Sequence, residues 1–234
     1  MASAPAPITQ PLPNIDPADA TLDELRVILG PAIADAAVFD GWSAEALTMA
    51  AEMEGVDVDV ARLAFKGGAM DLVSAWIDSV DVAMCREWPQ EKLAELKIRE
   101  RIRTLVQFRL DQALGREEAL RRALAIMALP QNAPRALRTG WNSADVMWRL
   151  AGDTATDYNH YTKRAILASI YAATLAIFVD DESIDKAETR AFLDRRIDGV
   201  MRFEKAKAKI LGRSDKRERF SVTRFLGRLR YPER

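Results

Sequence analysis

The chain has 234 residues, of which 49% are apolar and 29% charged, with a formal net charge of −1. That length and balance suit one or two soluble domains with a sizeable core. One cysteine, Cys85, excludes an internal disulfide framework; with His160 as the lone histidine, the usual His/Cys zinc sites are excluded too.

Charge is unevenly spread. Residues 21–86 hold four Lys/Arg against twelve Asp/Glu, a net of −8, whereas residues 202–234 hold twelve against four, a net of +8. Such asymmetry between two ends speaks about partners.

Apolar residues recur at three and four rather than two, so the chain reads as all-α. Residues 1–20 carry five prolines, no Lys or Arg and no apolar core. They read as a disordered lead-in, neither a secretory nor a transit segment. Thr21 and Glu24 form a capping box. The helix it starts carries Leu22, Leu25, Ile28, Leu29 and Ile33 at helical spacing, with a kink expected at Pro31 and an end at Gly41. Shorter helices start at Ser43 and Asp57, Gly67-Gly68 breaks the pattern, and a fourth helix runs to about Trp88. This outlines a helix-turn-helix over 21–88.

A charged amphipathic helix is predicted over 90–114 and another over 116–129, with Pro130 and Pro134 forcing an extended corner. The next helix carries Trp141, Met147 and Trp148 and ends at Gly152. The Thr154–Asp157 spacing is box-like and opens a helix in which Ala165–Val179 holds no charge. Those fifteen residues make about 22 Å of helix, short of a hydrocarbon core of about 30 Å. A last core helix reaches about Leu211. Beyond it, Val222, Phe225, Leu226 and Leu229 fall at i, i+3, i+4 and i+7, flanked by Arg219, Arg228 and Arg230. That pattern suits a membrane interface. It also suits a helix packed on its own chain or on a partner subunit.

Residue chemistry weighs against two function classes. The segment Asp57–Phe65, at the place of a recognition helix, holds two carboxylates and one arginine, in a module that DNA phosphates would repel. Asp157-x-x-His160 is half of the carboxylate-x-x-His pair of di-iron bundles, and there is no second histidine. No P-loop, Rossmann or nucleophile-elbow pattern occurs. No catalytic residue, metal or cofactor is therefore expected. An apolar pocket is the third reading: Met127, Leu129, Trp141, Met147, Trp148, Ile170, Tyr171, Leu175 and Phe178 are candidates to line one, or else to form a packed core.

Residues Gly152-Asp153, Thr156-Asp157, Asn159 and Tyr161-Thr-Lys-Arg164 resemble the signature of the Coq nine family. Arg122–Pro130 with Asn132 and Pro134, Asp145-Val-Met-Trp148, Gly41-Trp42 and Phe192-Leu193 with Arg196-Ile197 are similar to further family motifs, so the resemblance covers about 21–211. It implies a TetR-repressor-like bundle of nine or ten helices without DNA binding and without enzymatic activity. It also implies a non-catalytic accessory role in ubiquinone biosynthesis: binding isoprenoid quinones or other lipids, taking them from the membrane, and presenting them to the di-iron demethoxyubiquinone hydroxylase. On that basis Asp153, Tyr158, Asn159, His160, Tyr161 and Lys163 are expected to dock the partner. The family often carries Trp where this chain has His160, and an imidazole buries less apolar area than an indole.

The expected organisation is a lead-in at 1–20, a helix-turn-helix-like domain at 21–88, a lipid-binding and dimerisation bundle at 89–211, and a basic linker and membrane-binding helix at 212–234. Ala168, Ala172, Ala173 and Ala176 are small enough for another helix to approach, so a homodimer seam is expected there. The expected location is cytoplasmic, peripheral on the inner face of a bacterial plasma membrane. The rival reading is a TetR-type repressor with an apolar small-molecule pocket.

Overall fold

A computed structural model describes residues 16–154 and 158–200. The membrane-binding candidates Arg219, Val222, Phe225, Leu226, Arg228, Leu229 and Arg230 lie outside these, as do Asp157 and most of the lead-in.

The described residues are helical, with no strand among them. In chain order the helices are α1 (Leu22–Asp40), α2 (Ala44–Met53), α3 (Val58–Ala64), α4 (Ala69–Glu87), α5 (Gln90–Ala94), α6 (Ile98–Asp111), α7 (Glu117–Ala128), α8 (Ala133–Leu150) and α9 (Tyr158–Phe178). Helical residues 187–194, here α10, close this compact unit. Residues 195–200, the described part of a second unit, are helical as well.

Helix α1 starts as its sequence dictates. The Thr21 hydroxyl accepts from the Glu24 N–H at 3.3 Å, and the Glu24 carboxylate accepts from the Thr21 N–H at 2.8 Å. Pro31 lies inside α1, and the helix continues past it to Asp40. At the far end, Arg122 donates to the carbonyls of Phe39 and Ala37, placing a cation where the helix dipole is negative.

Helices α1 to α4 pack together, α1 lying against α2, α3 and α4. Leu25, Leu29 and Ile33 of α1, Ala46 and Ala50 of α2, Ala61 of α3 and Val73 of α4 are all fully buried. Gly30 lets α1 approach α4 closely: a Cβ there would lie 2.8 Å from Ser79 Oγ and 2.9 Å from the Ala75 carbonyl. The turn between α2 and α3 passes through Gly55 at φ 68°, a left-handed conformation that favours glycine. On α3, the one arginine, Arg62, is paired with Asp59 at 3.1 Å.

Two features tie this module to the rest of the unit. Trp42 is buried, its ring 5.5 Å from that of Trp76, and its indole N–H donates to the Ala119 carbonyl of α7 at 2.9 Å. Asp71 on α4 accepts from Arg26 of α1 and from Arg135 of α8, each at 2.6 Å, and from the Gly67 N–H at 3.0 Å. Burial works against the Asp71 charge, but these donors overcome it and hold the carboxyl down at about 2. Burial pushes the Cys85 thiol up to about 11, as expected of a structural cysteine.

The segment predicted as one helix over 90–114 is two. Arg101 explains the break: its guanidinium donates to the carbonyls of Leu96 and Ala94, taking up acceptors that a continuous helix would use. It also donates to Ala151 O at 2.8 Å, pinning the end of α5 to the end of α8. The corner expected at Pro134 is absent as well. Pro134 sits in the first turn of α8, where a missing N–H is harmless.

Candidate functional site

A cavity of about 550 Å³ lies between α4, α6, α7, α8 and α9. Its α7 wall is Leu120, Ala123, Leu124 and Met127, and its α8 wall is Ala136, Leu137, Gly140 and Trp141. Helix α9 contributes Ala165, Ala168, Ala172 and Leu175, and α4 contributes Trp76, Ile77 and Val80. The space exists because facing helices present alanine and glycine where a packed core would present leucine. A Cβ built on Gly140 meets nothing within 4 Å. The volume falls in the range of about 300–1,000 Å³ usual for small-molecule sites.

One group of polar side chains meets this apolar wall. Arg109 of α6 lines the cavity, is 3% exposed, and contacts Asp81 of α4 through a hydrogen-bonded ion pair. The hydroxyl of Ser143, also lining the cavity, donates to the second Asp81 oxygen at 3.0 Å. The guanidinium carbon of Arg109 sits 5.0 Å from the ring centroid of Tyr171. Burial opposes the Arg109 charge, but the Asp81 carboxylate overrides it and raises the guanidinium pKa further.

Of the nine residues proposed from sequence as pocket lining, Met127, Trp141, Tyr171 and Leu175 line the cavity. The other five do not. Leu129 is 43% exposed beyond the end of α7, and Met147 is fully buried in the core. Trp148 turns away: its indole N–H donates to the Lys163 carbonyl at 3.0 Å, with the Lys163 ammonium 5.4 Å from its ring. Ile170 is half-buried off the cavity, and Phe178 is buried beneath Lys186. Ala168 and Ala172, expected in a dimer seam, are also among the residues that line the cavity. Arg109, Ser143 and the alanines were missed. Alanine gives no periodic signal of its own, and Arg109 read as one more charge on an amphipathic helix.

The corner between α8 and α9 holds a network of ion pairs. Asp153 pairs with Lys163 at 2.6 Å and with Arg164 at 3.0 Å. Arg164, 1% exposed, also reaches Asp145 at 2.5 Å, and Asp145 holds Arg149 at 2.8 Å. Asp153 and Lys163, expected to dock a partner, thus engage their charges inside the chain. Asn159 is exposed and Tyr161 is 61% exposed. His160 is half-buried, edge-on to Tyr161 at 5.1 Å. The side chain of Tyr158 lies outside the description.

Trp141 joins the two features. It lines the cavity, and its ring is 6.0 Å from that of exposed Tyr161. Among the described residues no His, Cys, Asp and Glu cluster is placed to hold a metal ion. No described helix is long and apolar enough to cross a membrane.

Residues 133–204 match a family model described as COQ9, the Coq nine family. The chain is 34% identical over 168 residues to the ubiquinone biosynthesis protein COQ9, mitochondrial, of Rattus norvegicus, covering 69% of this chain and 54% of that protein. The Homo sapiens protein of the same name is 34% identical, with 69% and 52% covered. That of Drosophila melanogaster is 27% identical over 196 residues, with 82% and 60% covered. The chain spans about half the length of the curated relatives it matches. Among solved structures, a TetR transcriptional regulator from Nitrosomonas europaea superposes with a TM-score of 0.58 at 23% identity, covering 74% of this chain and 96% of the regulator. The bundle is thus TetR-like in fold, and the family match and these relatives together show that the chain belongs to the COQ9 family.

Proposed function

We propose that this protein takes part in ubiquinone biosynthesis as a lipid-binding accessory protein, without catalysing a reaction. An isoprenoid quinone intermediate, or another lipid, seats its chain in the α4–α9 cavity. The transfer from a bilayer is nearly balanced, because both environments are apolar. The protein's contribution is to shield that chain from water on the way to an enzyme.

The observation that carries this reading is the placement of Trp141, at once a wall of the cavity and the neighbour of exposed Tyr161. A partner seated on Asn159 and Tyr161 lies one aromatic ring from the ligand. The partner is the di-iron demethoxyubiquinone hydroxylase, and the surface around Tyr161 is the docking face. Loading takes place at a membrane surface, with the basic segment 212–234 supplying the attraction. Two protomers associate through their last helices.

The paired Arg62 on acidic α3 supports a carrier over a repressor, since a recognition helix needs free cations for phosphates. Mass spectrometry of organic extracts from the purified protein tests the proposal. A stoichiometric quinone or phospholipid is expected; lipid-free protein from a quinone-producing cell, unable to take up added lipid, would overturn it.

A further inference from the structure

The cavity has one formal charge in its lining, and that charge is already neutralised. Arg109 is the only Lys, Arg, Asp or Glu among the lining residues. A lone buried guanidinium in an apolar cavity would draw in a carboxylate or phosphate head, which it can bind through two parallel hydrogen bonds. Here Asp81 from α4 occupies that place, and Ser143 holds the other Asp81 oxygen. A second anion arriving at the floor would face Asp81 across the same guanidinium, in surroundings with little water to screen the repulsion. An uncharged oxygen meets no such opposition. The Nε–H of Arg109, a lining residue, is buried with no hydrogen-bond partner among the described residues, so this guanidinium keeps a spare donor.

We propose that the cavity selects ligands that are uncharged over their buried length, such as quinones, ketones and polyprenyl chains, and rejects free fatty acids, with Asp81 as the residue that sets this preference. The proposal rests on the lipid-binding reading and narrows it to a ligand class. Asp81 acts through Arg109, as a specificity-determining positioning residue.

Dodecanoate and the methyl ketone of the same chain length isolate the charge. Both are titrated into delipidated full-length protein near neutral pH, with binding followed by native mass spectrometry and calorimetry. The ketone is expected to bind tighter by about tenfold or more, the scale set by juxtaposed like charges. In Asp81→Asn the guanidinium is left without its counter-ion, and the preference reverses towards dodecanoate. Equal affinities in the parent protein, or an unchanged ratio in folded Asp81→Asn, would overturn the proposal while leaving a lipid carrier intact. Failure of both probes to bind counts against the carrier reading itself. Should Asp81→Asn not fold, Ser169→Lys places a cation at an exposed position of the cavity wall. A relative gain in dodecanoate binding is expected there, and an unchanged ratio again overturns the charge rule.

Discussion

The rings of Trp141 and Tyr161 lie 6.0 Å apart and tilted by 32°, one lining the cavity and the other 61% exposed. Aromatic pairs at this distance are attractive. A change of contact at Tyr161 is therefore felt by a side chain that lines the cavity.

Replacing Tyr161 with Ala removes an exposed side chain and its ring contacts with Trp141 and His160, so stability should fall by about 1 kcal/mol, too little to unfold the chain. Pull-down of the hydroxylase should be lost while the circular dichroism spectrum is kept. A retained pull-down moves the docking face elsewhere on the surface.

Gly140 offers a way to fill the cavity without disturbing the core. Gly140→Leu projects into open space and improves helix propensity by up to about 1 kcal/mol. The melting temperature should hold or rise while lipid recovered in extracts falls. Undiminished lipid would show that the chain of the ligand runs elsewhere.

Gly30→Ala should do the opposite. The added methyl group meets Ser79 Oγ and the Ala75 carbonyl at under 3.0 Å, and a backbone carbonyl has little room to retreat. Overpacking of this kind costs about 1–3 kcal/mol, readable as a lower midpoint in urea. Lipid content at low temperature should be unaffected.

Asp71 makes stability depend on acid. Its folded pKa, about 2, lies below the ordinary 3.8. The folded state thus favours the carboxylate, and the stabilisation is present above about pH 4 and lost as pH falls towards 2. A shift of this size corresponds to roughly 2 kcal/mol. Asp71→Asn should lower the urea midpoint at neutral pH and flatten its decline over that acid window. An equally steep decline in the variant would assign acid sensitivity to other carboxylates.

Local signals in the sequence were strong where a single residue type dictates geometry. The Thr21–Glu24 box, the Ser43 and Asp57 caps and Gly67-Gly68 all mark boundaries the structure keeps. Signals failed where a distant side chain intervenes. Nothing in the spacing of 90–114 shows that Arg101 will gather carbonyls from α5 and α8. The cavity was half legible for a similar reason. Large residues such as Trp141 and Tyr171 advertise an apolar wall, but empty space is made by Ala168, Ala172 and Gly140, which look alike in a packed seam and in a void. Trp148 and Phe178 were drawn off by Lys163 and Lys186, cations that reach back over their rings. Asp153 and Lys163 looked like a polar face, but Asp153 bridges Lys163 to the buried Arg164, whose charge it neutralises together with Asp145.

Helix α9 is fastened at both ends by charged groups from neighbouring helices. Arg164 ties its first turns to Asp145 and Asp153, while Arg121 grips the Val179 carbonyl and Asp180 just past its last turn. Between the ends, Leu167 and Thr174 are fully buried, and Ala165, Ala168 and Ala172 line the cavity. Clamped at both ends, the helix holds its cavity-facing residues between two fixed points, so the width of the space on that side is set by the clamps rather than by the small side chains themselves.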